Sequence, residues 1–203
     1  MDNFLRFVSR PNQAFICFDV GNASDSNKWT AKIHHRLEKP APAKMLETLM
    51  ERLEIKLPEA MQAFYRQHNG CELYCDTLSD SAGVSLGSID SWPELNEELN
   101  EWVDILDEDE KQEVLPAWFE DAIAIGEAPQ SGNYLLLVCA GEQSGSIYYF
   151  NHDGFEITQF AASWEEFLAR LITDPVQLLM DLGCYVCYSD GKTDIQWTPE
   201  QYL

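Results

Sequence analysis

The amino-acid sequence predicts an α+β fold in which helices pack on a mainly antiparallel sheet. Short strand-like runs follow one another along the chain, separated by Gly, Asn, Ser and Asp, and sequential short strands of this kind form antiparallel meanders. Apolar residues at helical spacing precede and follow these runs, so helices are available to cover the sheet. The chain has 203 residues, of which 45% are apolar, and it is therefore long enough to bury a core.

The first 42 residues predict a hairpin extension. Residues 13–20 alternate between two faces, residues 29–37 do the same, and the turn-forming sequence GNASDSN lies between them. Pro40 and Pro42 follow the second run, and two prolines in three residues resist both a helix and a central strand. We therefore assign residues 1–42 to an N-terminal hairpin and a proline linker.

Two helices are predicted next. From Lys44 to Leu53, apolar residues share one helical stripe. A second helix has Pro58 in its first turn and ends at Gly70, which supplies a left-handed residue. We interpret His68 as part of this helix end, where a cationic imidazole interacts favourably with the helix dipole. A catalytic histidine is the weaker interpretation, because no activated nucleophile motif accompanies it.

The middle of the chain predicts one helix between two groups of strands. Residues 71–75 and 83–89 have the composition of short strands. Asp90 or Ser91 can cap the next helix, and its buried stripe is predicted to consist of Trp92, Leu95, Leu99, Trp102 and Val103. We expect four further strands to be neighbours in one sheet, at residues 121–126, 133–139, 146–150 and 155–160.

The last part of the chain predicts two helices and a second hairpin. A capping box over residues 163–166 begins one helix, and Asp174-Pro175 begins another. The runs 184–188 and 193–197, joined by the turn SDGK, predict the hairpin. Residues 173–203 are therefore assigned to a C-terminal helix and hairpin that pack on the central domain.

The central motifs, taken in order, resemble a known family. They are LP-x5-FY-x3-NG after a helix, then AIG, SGNYLLLV, GSIYYFNHDG and FAASWEEFLARL. Together they resemble the SMI1/KNR4 (SUKH) superfamily over residues 43–172, although Gly132-Asn133 stands where the family often has Gly-Asp. The resemblance implies an SMI1/KNR4-like α+β domain with a binding role and no catalytic residues. It also implies two kinds of function, because many bacterial members look like immunity proteins against toxins, often nucleases, whereas fungal relatives are regulatory adaptors.

The charge balance limits the class of partner. There are 35 acidic and 13 basic residues, so the formal net charge is −22. This field repels nucleic acid and anionic lipid, and a basic protein is the natural counterpart. The sequence shows no secretory leader and no run of eighteen apolar residues, and we expect a cytoplasmic protein.

An acidic run within the chain is the candidate docking face. Ten residues between Glu94 and Glu113 are acidic, against the single base Lys111. The simplest interpretation is a solvated helix face and loop. The functional interpretation is a surface that docks a basic protein. Its candidate partner-binding residues are Glu97, Glu98, Glu101, Asp104, Asp107 and Glu108.

These features predict a non-catalytic protein-binding module without a cofactor. We interpret it as an immunity protein that neutralises a basic, nuclease-type toxin, and a regulatory or scaffolding adaptor of the SMI1/KNR4 type is the alternative. The sequence contains no phosphate loop, dinucleotide fingerprint, HExxH motif or GxSxG elbow, which leaves an enzyme without positive support.

A metal site is the remaining candidate, and we expect none. Cys184-x-x-Cys187 has zinc-like spacing, and Cys71 and Cys75 could supply a second pair. However, residues i and i+3 of a strand point to opposite faces, which prevents chelation by Cys184 and Cys187, and the adjacent pair His34-His35 fails for the same reason. The purified protein is therefore expected to hold no stoichiometric zinc and to keep its fold in a chelator. Elemental analysis that finds about one zinc per chain would contradict this.

Overall fold

The computed structural model describes residues 1–22, 27–184 and 188–203. Within these ranges the α-helices are α1 (Asp2–Val8), α2 (Ala43–Leu53), α3 (Glu59–Tyr65), α4 (Trp92–Val103), α5 (Glu108–Val114), α6 (Trp164–Thr173) and α7 (Pro175–Asp181). The strands are β1 (Ala14–Asp19), β2 (Lys28–Leu37), β3 (Cys71–Asp76), β4 (Val84–Leu86), β5 (Ala122–Ala128), β6 (Asn133–Val138), β7 (Ile147–Asn151), β8 (Glu156–Ala161) and β9 (Trp197–Tyr202). A short 3-10 helix, Phe119–Asp121, precedes β5.

The nine described strands form one antiparallel sheet in the order β8-β7-β6-β5-β4-β3-β2-β1-β9. The strands β5 to β8 are consecutive neighbours, which confirms the prediction that the four middle runs form one sheet. The predicted N-terminal hairpin is also present, because β1 pairs with β2. The predicted α+β class, with helices and a mainly antiparallel sheet, is thereby confirmed.

The helices cover the sheet through buried aromatic side chains. Phe64 of α3 contacts Trp164 of α6, with ring centroids 5.5 Å apart. Tyr65 of α3 contacts Trp92 of α4 at 5.1 Å, and both residues are fully buried. The start of α6 is set by Ser163, whose Oγ accepts a hydrogen bond from the Glu166 backbone N–H. The Glu166 carboxylate accepts from the Ala162 N–H and not from that of Ser163, so the predicted capping box is only partly formed. These contacts tie three helices into one core.

Three helical features differ from the prediction. Asp2–Val8 forms α1, although no helix was predicted there, because seven residues are too short for a clear periodic pattern. Glu108–Val114 forms α5, where a loop or turn was expected, because the capping box of Asp107 starts a helix that has no buried residue. The helix α3 ends at Tyr65, five residues before Gly70. The φ of +105° at Gly70 instead serves the entry to β3, where a Cβ would lie 2.5 Å from the Leu86 carbonyl oxygen.

The C-terminal strand is displaced from its predicted position. A hairpin of residues 184–188 and 193–197 was expected, but β9 begins only at Trp197 and pairs with β1. Tyr188 forms a single bridge to Trp197, and residues 185–187 lie outside the described residues. The reason is that β9 forms more ladder hydrogen bonds with the open edge of β1 than it could form with the short run before the SDGK turn.

A buried polar network joins the N-terminal and C-terminal elements. The Oε1 atom of Gln13 accepts hydrogen bonds from His35 Nε2 at 2.8 Å and from the Tyr202 hydroxyl at 2.6 Å, and Gln13 Nε2 donates to the Phe7 carbonyl oxygen at 3.1 Å. The other ring nitrogen, His35 Nδ1, accepts from the backbone N–H of Tyr74 at 3.1 Å. His35 is thus held as the neutral tautomer with its proton on Nε2. Burial lowers the pKa of His35 from 6.5 to about 4, and His34 adds to the effect.

The His35 network predicts a loss of stability in acid. Because the pKa of His35 is lower in the folded chain than in the unfolded chain, its contribution is present above pH 6.5 and is lost as the pH falls towards 4. Comparison of the wild type with His35→Gln isolates this contribution, since both proteins keep the other histidines. Between pH 7 and pH 4.5 the unfolding free energy of the wild type should fall by about 2 kcal/mol relative to the variant. Equal pH profiles in denaturant titrations would show that His35 is not held neutral.

Candidate protein-binding site

The helix α4 is attached to the sheet by the side chain of Asn96, which makes two hydrogen bonds that a neighbouring strand would otherwise make. The short strand β4 pairs with β5 only at Gly126 and Glu127. Beyond that point Asn96 of α4 takes over: its Oδ1 accepts from the Ala124 N–H at 3.0 Å, and its Nδ2 donates to the Ala124 carbonyl oxygen at 3.1 Å. The amide thereby completes the hydrogen bonding of β5 and sets the position of α4.

A second anchor holds the start of α4. The carbonyl oxygen of Gly87 accepts hydrogen bonds from the Tyr65 hydroxyl and from Trp92 Nε1, each at 3.1 Å. The N–H of Gly87 donates to the Ile125 carbonyl oxygen of β5 at 2.9 Å. The loop between β4 and α4 is thus bonded to both neighbouring layers, so the outward flank of the helix is held rigidly.

An open acidic groove of about 540 Å³ lies between this flank of α4 and the sheet. Its floor is a cross-strand row, in which Glu72 of β3 pairs with Ser85 of β4 and Ser85 pairs with Glu127 of β5. Six carboxylates line the groove, and among the described residues no basic side chain lines it. They belong to Glu38, Glu72, Asp90, Glu94, Glu98 and Glu127.

Burial and like charges together act on Glu127 in the groove. Burial raises the pKa of Glu127, and the negative charges of Glu98 and Glu72 raise it further. At one end of the row, Arg36 Nε contacts Glu72 at 2.5 Å, which compensates one charge. At the other end, the Tyr134 hydroxyl donates to Glu98 at 3.4 Å. The groove can therefore receive a positive group, because cationic charge would relieve the repulsion.

The six residues predicted for partner binding are all exposed, but the structure does not bring them together. Glu98 lines the groove, and Glu101 follows it by one turn on the same flank of α4. Glu97 lies one turn before Glu101 on the exposed face of the helix but does not line the groove. The other three residues, Asp104, Asp107 and Glu108, serve the local structure around α5.

The contacts of these three residues are specific. Lys111 Nζ lies 3.1 Å from Asp104 Oδ1 and 3.5 Å from Glu108 Oε1. The carboxylate of Asp107 accepts from the backbone N–H groups of Asp109 and Glu110 and caps α5. Part of the acidic run therefore stabilises the helix that it begins.

The prediction that Trp102 belongs to the buried stripe of α4 is wrong. This residue was assigned to the core with Leu99, but 36% of the side chain is exposed, whereas Leu99 is buried. Its ring packs against His152, with centroids 4.4 Å apart. On the helical wheel Trp102 lies at the edge of the apolar stripe, one turn after Glu98, and this edge position was the only sequence signal of its exposure.

The other candidate chemical groups are structural. His68 lies beyond the end of α3 and packs on Phe64 at 5.9 Å. Burial raises the pKa of the Cys75 thiol to about 11 and raises that of Cys71 further, so both remain protonated. Cys184 Sγ contacts the Gly83 carbonyl oxygen at 3.0 Å, and Cys187 lies outside the described residues. Within the described ranges, no group of three or more metal-ligating side chains occurs.

The sequence contained only a weak signal of the groove. Glu72 and Glu127 are isolated acids within apolar runs, and such residues mark the solvent-facing side of a strand. They are 55 residues apart, however, and only the registers of β3, β4 and β5 bring them into one row. No local pattern encodes that register.

Comparison with known proteins gives one family. The model of the SMI1 / KNR4 family (SUKH-1) matches residues 40–170. This match includes α2 to α5, most of α6, the strands β3 to β8 and most of the acidic groove. No curated protein matches the chain at a significant level. In the described part of the chain, no helix has both the length and the apolar character needed to cross a membrane.

The groove predicts that Glu127 is unfavourable for the stability of the free protein. Since burial and neighbouring acids raise its pKa in the folded state, ionised Glu127 destabilises the fold at neutral pH, and this cost disappears as the pH falls and the group is protonated. Glu127→Gln should therefore raise the Tm at pH 7 by about 1–3 °C, with less effect at pH 4. The exposed Glu156→Gln on β8 is the matched control and should change the Tm little. A lower Tm for Glu127→Gln at pH 7 would contradict the repulsion.

Proposed function

Because the chain belongs to the SMI1/KNR4 family (SUKH-1), we propose that it is an immunity protein that neutralises a basic, nuclease-type toxin. The family supports an immunity or SMI1-type role in general and is generally non-catalytic. The finer assignment to a basic toxin rests on the charge and shape of one surface, the acidic groove together with the neighbouring flank of α4.

The observation that carries the proposal is the groove lined by six carboxylates. A nuclease binds phosphates and therefore presents basic side chains in its active cleft. Those side chains are complementary to Glu94, Glu98 and Glu127. A protein that covers the cleft with a surface of carboxylates excludes the nucleic acid substrate, and it needs no catalytic group to do so.

The interface must be larger than the groove. Specific protein complexes bury roughly 800 Å² on each partner. The exposed flank of α4, which carries Glu101 and Trp102 beside the groove, extends the surface in one direction. The short segment of residues 88–91 extends it in the other direction and carries Asp90. Backbone and side-chain bonds hold both parts, so little conformational entropy is lost on binding.

Electrostatic steering gives the first prediction of this function. We would compare Glu94→Lys/Glu98→Lys/Glu101→Lys with the control Glu142→Lys/Glu156→Lys/Glu165→Lys, which makes the same change in net charge on exposed residues elsewhere. At low salt the first variant should associate with the toxin domain at least about tenfold more slowly than the control variant. The difference should shrink at high salt, because exposed charges are screened beyond ~8 Å at 0.15 M. Equal association rates of the two variants at low salt would reject this surface as the docking site.

Neutralisation itself is tested by growth. The chain is co-expressed in bacteria with a nuclease toxin domain cloned from a gene adjacent to its own. The wild type and the control variant should restore growth, and the groove variant should not. Binding without rescue of growth would instead favour the regulatory or scaffolding adaptor, because an adaptor binds its partner without blocking an active site.

A further inference from the structure

An exposed apolar spot lies at the end of α4, beside the acidic groove. Trp102 is 36% exposed, and Ile105, three residues later in the turn that follows α4, is 67% exposed. The exposed acids Glu98 and Glu101 precede Trp102 by four residues and one residue on α4, and Asp153 contacts His152, whose ring packs on Trp102. An apolar centre with a charged rim is the usual composition of an interface hot spot.

The indole of Trp102 is held in a defined position. The ring of His152 packs against it, and Asn133 Oδ1 accepts hydrogen bonds from His152 N at 3.1 Å and from His152 Nδ1 at 2.9 Å. Asn133 is itself held, since its Nδ2 donates to the buried Tyr149 hydroxyl at 2.7 Å. The φ of +74° at Gly132 suits glycine, and a Cβ there would lie 3.1–3.2 Å from His152 and Trp102. Glycine therefore allows the two rings to lie against this turn.

We propose that Trp102 and Ile105 form the anchor point of the docking surface and receive an arginine side chain of the basic partner. This inference rests on the proposed function, since it assumes a partner with exposed positive charge. The guanidinium would stack on the Trp102 indole, its aliphatic stem would contact Ile105, and Glu98 or Glu101 would accept its N–H groups.

Arginine fits this anchor better than lysine does. A guanidinium is planar and weakly hydrated, so it stacks on an indole and still donates to a carboxylate in the same plane. A lysine ammonium is strongly hydrated and gains less from the ring. A second copy of the chain does not fit, because two molecules of formal charge −22 repel each other at this acidic face. The anchor thus adds selectivity to a surface that otherwise attracts any cation.

The test uses two synthetic peptides of equal length and charge, one with three arginines and one with three lysines separated by glycines. Each is titrated at low salt into the ¹⁵N-labelled full chain, and the indole N–H signals are recorded. In Trp102→Phe the Trp102 indole signal is lost, which assigns it, and an aromatic ring still packs on His152. This variant therefore keeps the inference testable if Trp102→Ala does not fold. Leu78→Ala, at another exposed apolar residue, is the matched control.

The arginine peptide should shift the Trp102 indole signal and leave those of the buried Trp92 and Trp164 unchanged. Its Kd should rise about three- to fivefold in Trp102→Ala and less in Trp102→Phe, whereas Leu78→Ala should have no effect. The lysine peptide should respond more weakly to both Trp102 variants.

Two results would overturn the inference in different ways. If the arginine peptide binds Trp102→Ala as tightly as the wild type but loses affinity in Glu98→Gln, the anchor is wrong and the acidic docking surface remains. If neither peptide binds the wild type at low salt, the proposed docking function fails together with the anchor.

Discussion

The position of α4 depends on one amide side chain. The strand β4 has only three residues, and beyond it the N–H and C=O groups of the buried Ala124 have no strand partner on that side. Asn96 supplies both hydrogen bonds, in the geometry that a neighbouring strand would offer. Leaving these two groups unpaired would cost roughly 1–3 kcal/mol each. The Asn96 contact therefore has a larger effect on the position of α4 than the exposed charges of the same helix. The groove wall, the exposed flank and the Trp102 ring all follow from where Asn96 places α4.

The acidic residues of this protein fall into two physical groups. Those near α5 are compensated, because Asp107 caps the helix and Lys111 contacts Asp104 and Glu108. Those of the groove lie near one another, and burial together with the charges of Glu98 and Glu72 raises the pKa of Glu127, so the ionised form of Glu127 is unfavourable in the free protein. Carboxylates that reduce the stability of the free chain are those from which a cationic partner gains most, since its binding removes the repulsion. This contrast is the reason for placing the docking surface at the groove rather than along the whole acidic run.

Local patterns predicted most elements correctly because the forces behind them are local. The short apolar run in residues 133–139, the capping serine at Ser163 and the Asp174-Pro175 helix start depend on residues close to one another in the chain. The predictions failed where contacts between residues far apart in the chain determine the structure. Trp102 has the spacing of a core residue, but it packs at the edge of the core against the turn at Gly132 and the ring of His152, and 36% of it stays exposed.

The sequence by itself determined the α+β class, the order of most helices and strands, the negative charge and the likeness to the SMI1/KNR4 family. The fold class, the element order and the charge follow from composition or from spacing along the chain, and the family likeness is a resemblance of motifs taken in order. Only the tertiary structure decided that Glu72 and Glu127 share a groove with Glu98, and that β9 closes on β1. The physical reason is that strand register and helix placement arise from hydrogen bonds between residues far apart in the chain. The sequence therefore shows that a residue is a carboxylate, but it does not show which other charged residues lie near it in the folded chain.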